Sequence, residues 1–274
     1  MEGIKSGTSL GIFRGTYNRT SGTFNDIDYI DYLARMVVQP TAARALLLYN
    51  LIVGIKADLE IQRLYQRFDV FYLLASHNQQ ASRLNLVRNR HDITEFNSPT
   101  WILDRGYTGN GSTMYLNTNY NASADGLRYH TDDASYGLHF GTTGSSNSAD
   151  FGANGVGNTP LISMTIRDSP GNTLYRINDS GAQIKPHIGK ASSVRRGLAG
   201  NIQLFQDGIG AGLVAQPSTG IPNFQNYIFC RNNAGTAAFF SPHQIQIVWM
   251  GGGNIDHLKV HNRIRTYLTA IGAP

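Results

Sequence analysis

His257 and His261 lie four residues apart in the segment His257-Leu258-Lys259-Val260-His261. On a helix this spacing puts two imidazoles on one face, as zinc ligands often are. The segment lacks the glutamate of a metalloprotease helix, and Lys259 and Arg263 would repel a cation. The expectation is two exposed histidines on the polar face of an amphipathic helix, with no metal and no cofactor. Loop oxygens of Asp132, Asp133 and Asp150 could face calcium, but no EF-hand loop is present, and Asx residues in loops more often form turns. Gly7-Thr8-Ser9-Leu10-Gly11 spells the string of a nucleophile elbow. No strand pattern precedes it and no helix pattern follows, so it reads as a chance match. Cys230, the only cysteine, ends the apolar run Tyr227-Ile228-Phe229-Cys230 and reads as core packing. Phosphate-loop and dinucleotide-binding fingerprints are absent.

Glycoside hydrolysis needs a pair of carboxyl groups facing one bond, about 5–10 Å apart. Glu2, Glu60 and Glu95 are the only glutamates, so nothing after residue 95 can supply a Glu-based pair. Asp132-Asp133 is the nearest acidic cluster, and adjacent residues of an extended chain point to opposite faces. No catalytic residue is therefore expected. A binding surface is easier to place. The stretch Leu127–Tyr136 holds Arg128, Tyr129, His130, Asp132, Asp133 and Tyr136 in one loop-like segment. Aromatic faces beside Arg, His and Asp donors and acceptors are the chemistry that recognises sugars. These six residues form the candidate ligand site, although the same pattern also fits an ordinary hairpin rim.

The elements that must position them can be read from periodicity. Residues 1–25 show no helical period and read as an extended arm. Residues 26–100 read as a helical region with a short strand. Asp26, Asp28 and Asp31 suit a helix start, Pro40 ends that segment, and Thr41 can cap the next helix. In that helix Leu47, Leu51 and Ile55 form one row, widened by Leu48, Ile52 and Leu59. Ile61, Leu64 and Phe68 could continue on a further short helix, and residues 70–74 read as a buried strand. Residues 101–274 alternate short apolar segments with Gly/Asn/Ser turns such as GNGS, GANGVGN, QDGIGAG and RNNAG. This pattern predicts an antiparallel β-sandwich. Asn254 can cap a closing helix whose apolar stripe is Val260, Ile264, Tyr267, Leu268 and Ile271.

Composition narrows the function classes. Of 274 residues, 41% are hydrophobic and 15% charged, against a usual charged share of about 25%. That is too apolar for a disordered chain, and no apolar run is long enough to span a bilayer. The net charge of +5 falls wholly in residues 138–274, which hold ten Lys/Arg and five Asp. The densest basic run is Arg195-Arg196, too short for a nucleic-acid stripe, so no nucleic-acid partner is expected. The first fifteen residues lack the apolar core of a secretory signal, which leads us to expect cytosolic synthesis.

The segment GYTGNGSTMYLNTNYN (106–121) resembles a signature that opens the jelly roll of concanavalin A/laminin G-like sandwiches in bacteriophage and prophage proteins. TAARALLLYNLIVGIKA (41–57), LYQRFDVFYLLASHNQQASRLNL (64–86), SPT (98–100) and HNRIRTYLTAIG (261–272) are similar to further blocks of those proteins, in the same order. The resemblance covers roughly residues 30–274. It implies a mainly β, concanavalin A-like jelly roll with N-terminal helices and a C-terminal amphipathic helix. It also implies a virion structural protein, a tail fibre, spike or other appendage assembled in the bacterial cytoplasm, with a lectin-like domain exposed to host glycans. The alternative is an architectural part, a capsid decoration, head fibre or tail component that binds no ligand. A polysaccharide depolymerase using loop aspartates is the third. Expected partners are other virion proteins through the N-terminal arm, bacterial surface polysaccharide, and further copies of the chain, as a homo-oligomer such as a trimer.

Overall fold

The computed structural model describes residues 24–143, 148–168, 171–186, 189–198 and 200–274. All but the last two residues of the N-terminal arm expected at 1–25 lie outside that set. The Asp26 carboxylate accepts hydrogen bonds from the N–H groups of Asp28 and Tyr29 and so caps the helix Ile27–Leu33. Thr41 caps the central helix Ala42–Asp58 through Arg44 N–H, as its position before the apolar rows predicts. Leu48, Leu51, Ile52 and Ile55 are buried on it. The short helix expected through Ile61, Leu64 and Phe68 forms only as a single turn, Leu64–Gln66. Phe68 instead begins a strand, Phe68–Leu73, because both faces of this segment are apolar and both find cover.

The protein is mainly β, a sandwich of two antiparallel sheets with a helical layer on one of them. The inner sheet runs in the order Ile209–Ala215, Asn201–Gln206, Ala191–Leu198, Ala134–Thr142, Gln244–Gly251, Gly106–Thr108 and Thr100–Ile102. Phe68–Leu73 also pairs with Gln244–Gly251, Phe71 opposite Trp249 and Tyr72 opposite Val248. The outer sheet runs Gln183–Pro186, Asn172–Asp179, Leu161–Asp168, Phe151–Asn154, Gln225–Ile228, Tyr115–Asn121 and Thr94–Phe96. A hairpin, Arg231–Asn233 with Thr236–Ala238, joins it through a short parallel pairing with Phe151–Asn154. The segment QDGIGAG, read from the sequence as a turn, is the start of the edge strand Ile209–Ala215. Its tight turn is confined to Asp207-Gly208, both at positive φ. The sandwich also begins earlier than residue 101, since Phe68–Leu73 and Thr94–Phe96 are strands of its two sheets.

Two cores follow from side-chain alternation. Val70, Tyr72, Val248 and Met250 point between the sheets, where they meet Tyr136, Phe151, Met164 and Tyr175. Phe71, Leu73, Ile247 and Trp249 point the other way, into the helical layer. Every residue of Gln244–Gly251 is thus buried. Gly137 faces Trp249 across the ladder, where a Cβ would come within 2.6 Å of the indole.

The C-terminal helix, His257–Ala270, lies over this outer face of the inner sheet with Val260, Ile264, Tyr267 and Leu268 buried. Its cap is Asp256, which accepts from Lys259 N–H, rather than Asn254. The helix starts two residues later than its sequence suggests because Gly252-Gly253 and Ile255 still belong to the descent from the strand. Arg263 forms a two-pronged ion pair with Asp58 of the central helix (Nε–Oδ2 2.6 Å, Nη2–Oδ1 2.9 Å). His257 and His261 do not sit on the polar face. His257 is buried and stacks on Phe205 with ring centroids 4.0 Å apart, and Ser193 Oγ lies 2.6 Å from its Nδ1. His261 stacks on the buried His139 at 5.2 Å. Burial holds the His257 pKa down at about 3, aided by the nearby Arg195 charge. It also holds His139 well below the usual histidine range, with His261 and Arg265 adding to the effect. Residues 257, 261, 264 and 268 share one helical row, so the histidines follow the apolar stripe into the interface.

Candidate functional site

The six residues expected to form a ligand site separate into core and rim. Tyr129 and Tyr136 are core side chains between the sheets. Tyr129 donates its hydroxyl hydrogen to Asn178 Oδ1, and Tyr136 reaches the carbonyls of Ser163 and Arg176. Neither ring is available to a sugar, because a long amphipathic side chain on a β-segment serves equally well to fill the core and satisfy a buried polar group. Arg128 uses its Nε on the Tyr65 carbonyl. His130 and Asp133 bridge a tight turn and are exposed. Asp132 accepts from Ser218 Oγ at 2.6 Å, and Asp133 accepts from Gly253 N–H at 2.6 Å. These two carboxylates diverge, each engaged in holding a neighbouring loop.

The whole segment is fixed from beneath by Asp69. Its buried carboxylate receives the N–H groups of Leu127, Arg128 and Tyr129 and the Tyr120 hydroxyl, at 2.8–3.1 Å. A buried carboxylate is costly unless such donors surround it, so Asp69 dictates the path of the loop.

A buried trio, Ser241, Asp150 and His243, has the residue types of a nucleophilic triad. The geometry is that of a brace. The carboxylate sits in the middle, with Ser241 Oγ at 2.5 Å and His243 Nδ1 at 2.7 Å from the same Oδ1, and all three side chains are buried. In a triad the histidine lies between nucleophile and acid. Asp150 also accepts Ile166 N–H, and its own carbonyl accepts Phe229 N–H. The brace thereby pins residues 239–243 against the outer sheet.

What it pins is the rim of a groove. On the solvent face of the outer sheet, alternation puts Ser163, Thr165, Leu174 and Arg176 outward, opposite the inward Met164, Tyr175 and Ile177. The Arg231–Asn233 hairpin crosses beside them. Its turn, Ala234-Gly235, has both residues at positive φ, the requirement of a tight hairpin turn. Arg231 and Phe239 overhang the strand face and close an open groove of about 450 Å³, with Ser148, Ala149, Asn158, Leu161 and Ser180 completing its lining. Phe239 is half exposed and is held at φ +62° by the hydrogen bond from Ala149 N–H to its carbonyl. A bulky residue with left-handed backbone is a local strain that the surrounding structure must sustain, and such strain concentrates at functional positions. The Arg231 guanidinium lies over the Phe239 ring at 4.3 Å. Its Nε is buried without a hydrogen-bond partner among the described residues. Burial, and after it the charge of Arg176, holds the Arg231 pKa below its ordinary range, although an arginine stays cationic at neutral pH.

The lining therefore offers one half-exposed aromatic, two cations and several hydroxyls, with no carboxylate, histidine or cysteine among the described residues. Two other depressions are also charged. Arg195, between the inner-sheet edge and the C-terminal helix, stacks on Phe205 and donates to Gln203 Oε1. Arg35 and Arg63, beside the first helix, pair with Asp92 and with Asp28. No cluster of His, Cys, Asp or Glu that could hold a metal occurs among the described residues. None of the described helices is long and apolar enough to cross a membrane.

The groove was hard to see in the sequence for a definite reason. Arg231 belongs to RNNAG, which reads as a turn, and Phe239 lies in a further short segment. The available signal was Arg176, out of phase with Tyr175 and Ile177 in an alternating strand.

No family model and no curated protein matches this chain. Solved structures similar to it are distant in sequence. A structure concerned with cell entry of botulinum neurotoxin type C through two ganglioside molecules is 12% identical, over 73% of this chain and 51% of that one, at TM-score 0.48. The Trypanosoma rangeli sialidase in complex with a difluoro nononic acid is 13% identical, over 74% of this chain and 33% of that one, at TM-score 0.47. Domain 4 of AbnA, an extracellular arabinanase of Geobacillus stearothermophilus in complex with arabinotriose, is 10% identical, over 71% and 99%, at TM-score 0.42. This chain spans only a third to about half of the sialidase and neurotoxin chains. At these identities and TM-scores the likeness places no ligand on this chain.

Proposed function

We propose that the protein is a saccharide-binding module that holds its ligand in the groove on the outer sheet and does not cleave it. The observation that carries this reading is Phe239, a half-exposed ring held on strained backbone above a floor of hydroxyls. Aromatic faces pack against sugar CH groups, and hydroxyls exchange hydrogen bonds with sugar hydroxyls. Cleavage would need a carboxyl pair astride the bond, which the groove lining does not offer. The resemblance to bacteriophage sandwiches supports placing the module on a virion, as an appendage that meets host-surface glycan.

The test is binding of the full chain to a bacterial polysaccharide array. Phe239→Ala should weaken any binding at least about tenfold, a loss typical of a buried aromatic contact. Asp133→Ala, in the loop first expected to bind, should leave it unchanged. Binding lost in Asp133→Ala and kept in Phe239→Ala would move the site to the 128–136 loop. Detection of the chain in purified particles by mass spectrometry tests the virion placement.

A further inference from the structure

We infer that the ligand of this groove is an acidic saccharide, whose carboxylate sits against Arg231 while its ring lies along Phe239. The inference rests on the saccharide reading above and adds the charge of the ligand. Its first support is the unmatched state of Arg231. Arg35, Arg44, Arg63, Arg196 and Arg263 each lie within ion-pair distance of an aspartate. Arg231 has no such partner among the described residues, and its buried Nε donates to nothing there. A guanidinium offers two parallel N–H groups from Nε and one terminal nitrogen, which match the two oxygens of a carboxylate. Nε of Arg231 is buried yet unpartnered among the described residues, so its hydrogen-bonding capacity is unspent.

The second support is orientation. Stacking at 4.3 Å on Phe239 fixes the plane of the guanidinium. The Phe239 backbone is in turn fixed by its bond from Ala149 and by the Ser241–Asp150–His243 brace next to it. The fork is thus preorganised, and a ligand need not pay the entropy of ordering it. The third support is the field. Arg176 adds a second positive charge to the lining of the same groove. A neutral sugar would leave the Arg231 charge unanswered. An anionic one would place an opposite charge beside Arg231, offsetting its desolvation and the repulsion from Arg176.

The experiment measures binding of the full chain to polygalacturonate, alginate and polysialic acid, each beside its carboxyl-reduced form. At least one acidic polymer should bind at least about tenfold tighter than its reduced counterpart, and added salt should weaken that binding. Arg231→Gln should remove the preference, and Arg231→Lys, which keeps the charge but not the fork, should restore only part of it. Melting curves of both variants establish that they fold, and the salt titration of the unaltered chain gives an independent reading if they do not. Equal binding of acidic and reduced polymers, with Phe239→Ala still harmful, would overturn the acidic ligand and leave the saccharide reading standing. An acidic preference untouched in Arg231→Gln would overturn the placement. Binding to none of the six polymers would overturn this inference, and failure on the wider array as well would remove the saccharide reading.

Discussion

Acid should loosen the C-terminal helix from the sheet, and His257 shows by how much. Its ring is buried against Phe205, Trp249 and Ser193, and it stays neutral in the fold with a pKa of about 3. In the unfolded chain a histidine takes up its proton near pH 6.5. Between those values the unfolded state binds more protons than the folded one, so stability falls as pH falls. The full contribution is present above about pH 7 and is lost progressively down to the folded pKa. At about pH 5 the loss for one such histidine is RT ln(1 + 10^1.5), about 2 kcal/mol. His139, also buried and held low, should add to the loss in the same direction. Urea unfolding followed by tryptophan fluorescence at about pH 7.5 and about pH 5 measures the total, because Trp249 lies in this interface. The decisive quantity is the difference between proteins. His257→Gln should be less stable at neutral pH, having lost the stack on Phe205. Its further loss between the two pH values should be smaller than that of the unaltered chain by about 2 kcal/mol. Parallel losses in the two proteins would refute the argument, since carboxylates elsewhere affect both equally.

Other perturbations act on single buried devices. Arg196, fully buried, donates to the carbonyls of Ile177 and Gln216 and to Asp179, whose own pKa is raised by burial to about 6. Arg196→Met should cost about 3–5 kcal/mol in chemical denaturation, and Arg196→Met with Asp179→Asn should cost less than the sum of the two single changes. Asp69→Ala strands three backbone N–H groups and should cost on the order of 3 kcal/mol, with faster hydrogen exchange at 127–129 as its local signature. Gly137→Ala pushes a methyl into the Trp249 indole and should lower stability by about 1–3 kcal/mol, with a shift in tryptophan emission. Deleting residues 24–100 strips one partner strand from Gln244–Gly251 and uncovers Ile247 and Trp249, so the remainder should be insoluble on expression.

The architecture was legible where one physical signal dominates. Apolar rows in residues 42–58 and 260–271 gave helices with the correct buried faces, and alternation gave most of the long strands. Short strands such as Arg231–Asn233 were missed because three residues carry no measurable period. The strand Phe68–Leu73 was read as buried, yet its place in the middle of the sandwich sheet was not, since pairing across about 180 residues leaves no local trace. His257 and His261 were misplaced because residue type was allowed to outweigh spacing. Two of the six candidate site residues were misplaced in a similar way. Tyr129 and Tyr136 were chosen for their chemistry, and the same rings are what the inter-sheet core requires. Arg231 and Phe239 are brought together by a hairpin crossing a sheet face, a relation that exists only in three dimensions.

The layering has a directional consequence. Phe24, at the start of the first helix, packs on Tyr29 and Tyr49, and Ala273 is buried in the same helical cluster. Phe24 and Ala273 therefore both lie on the helical side of the inner sheet, while the groove opens on the far side of the outer one. The helical cluster that holds them is separated from the groove by the full depth of the sandwich. On the reading proposed above, a partner held by the helical layer would lie on the face opposite the bound ligand.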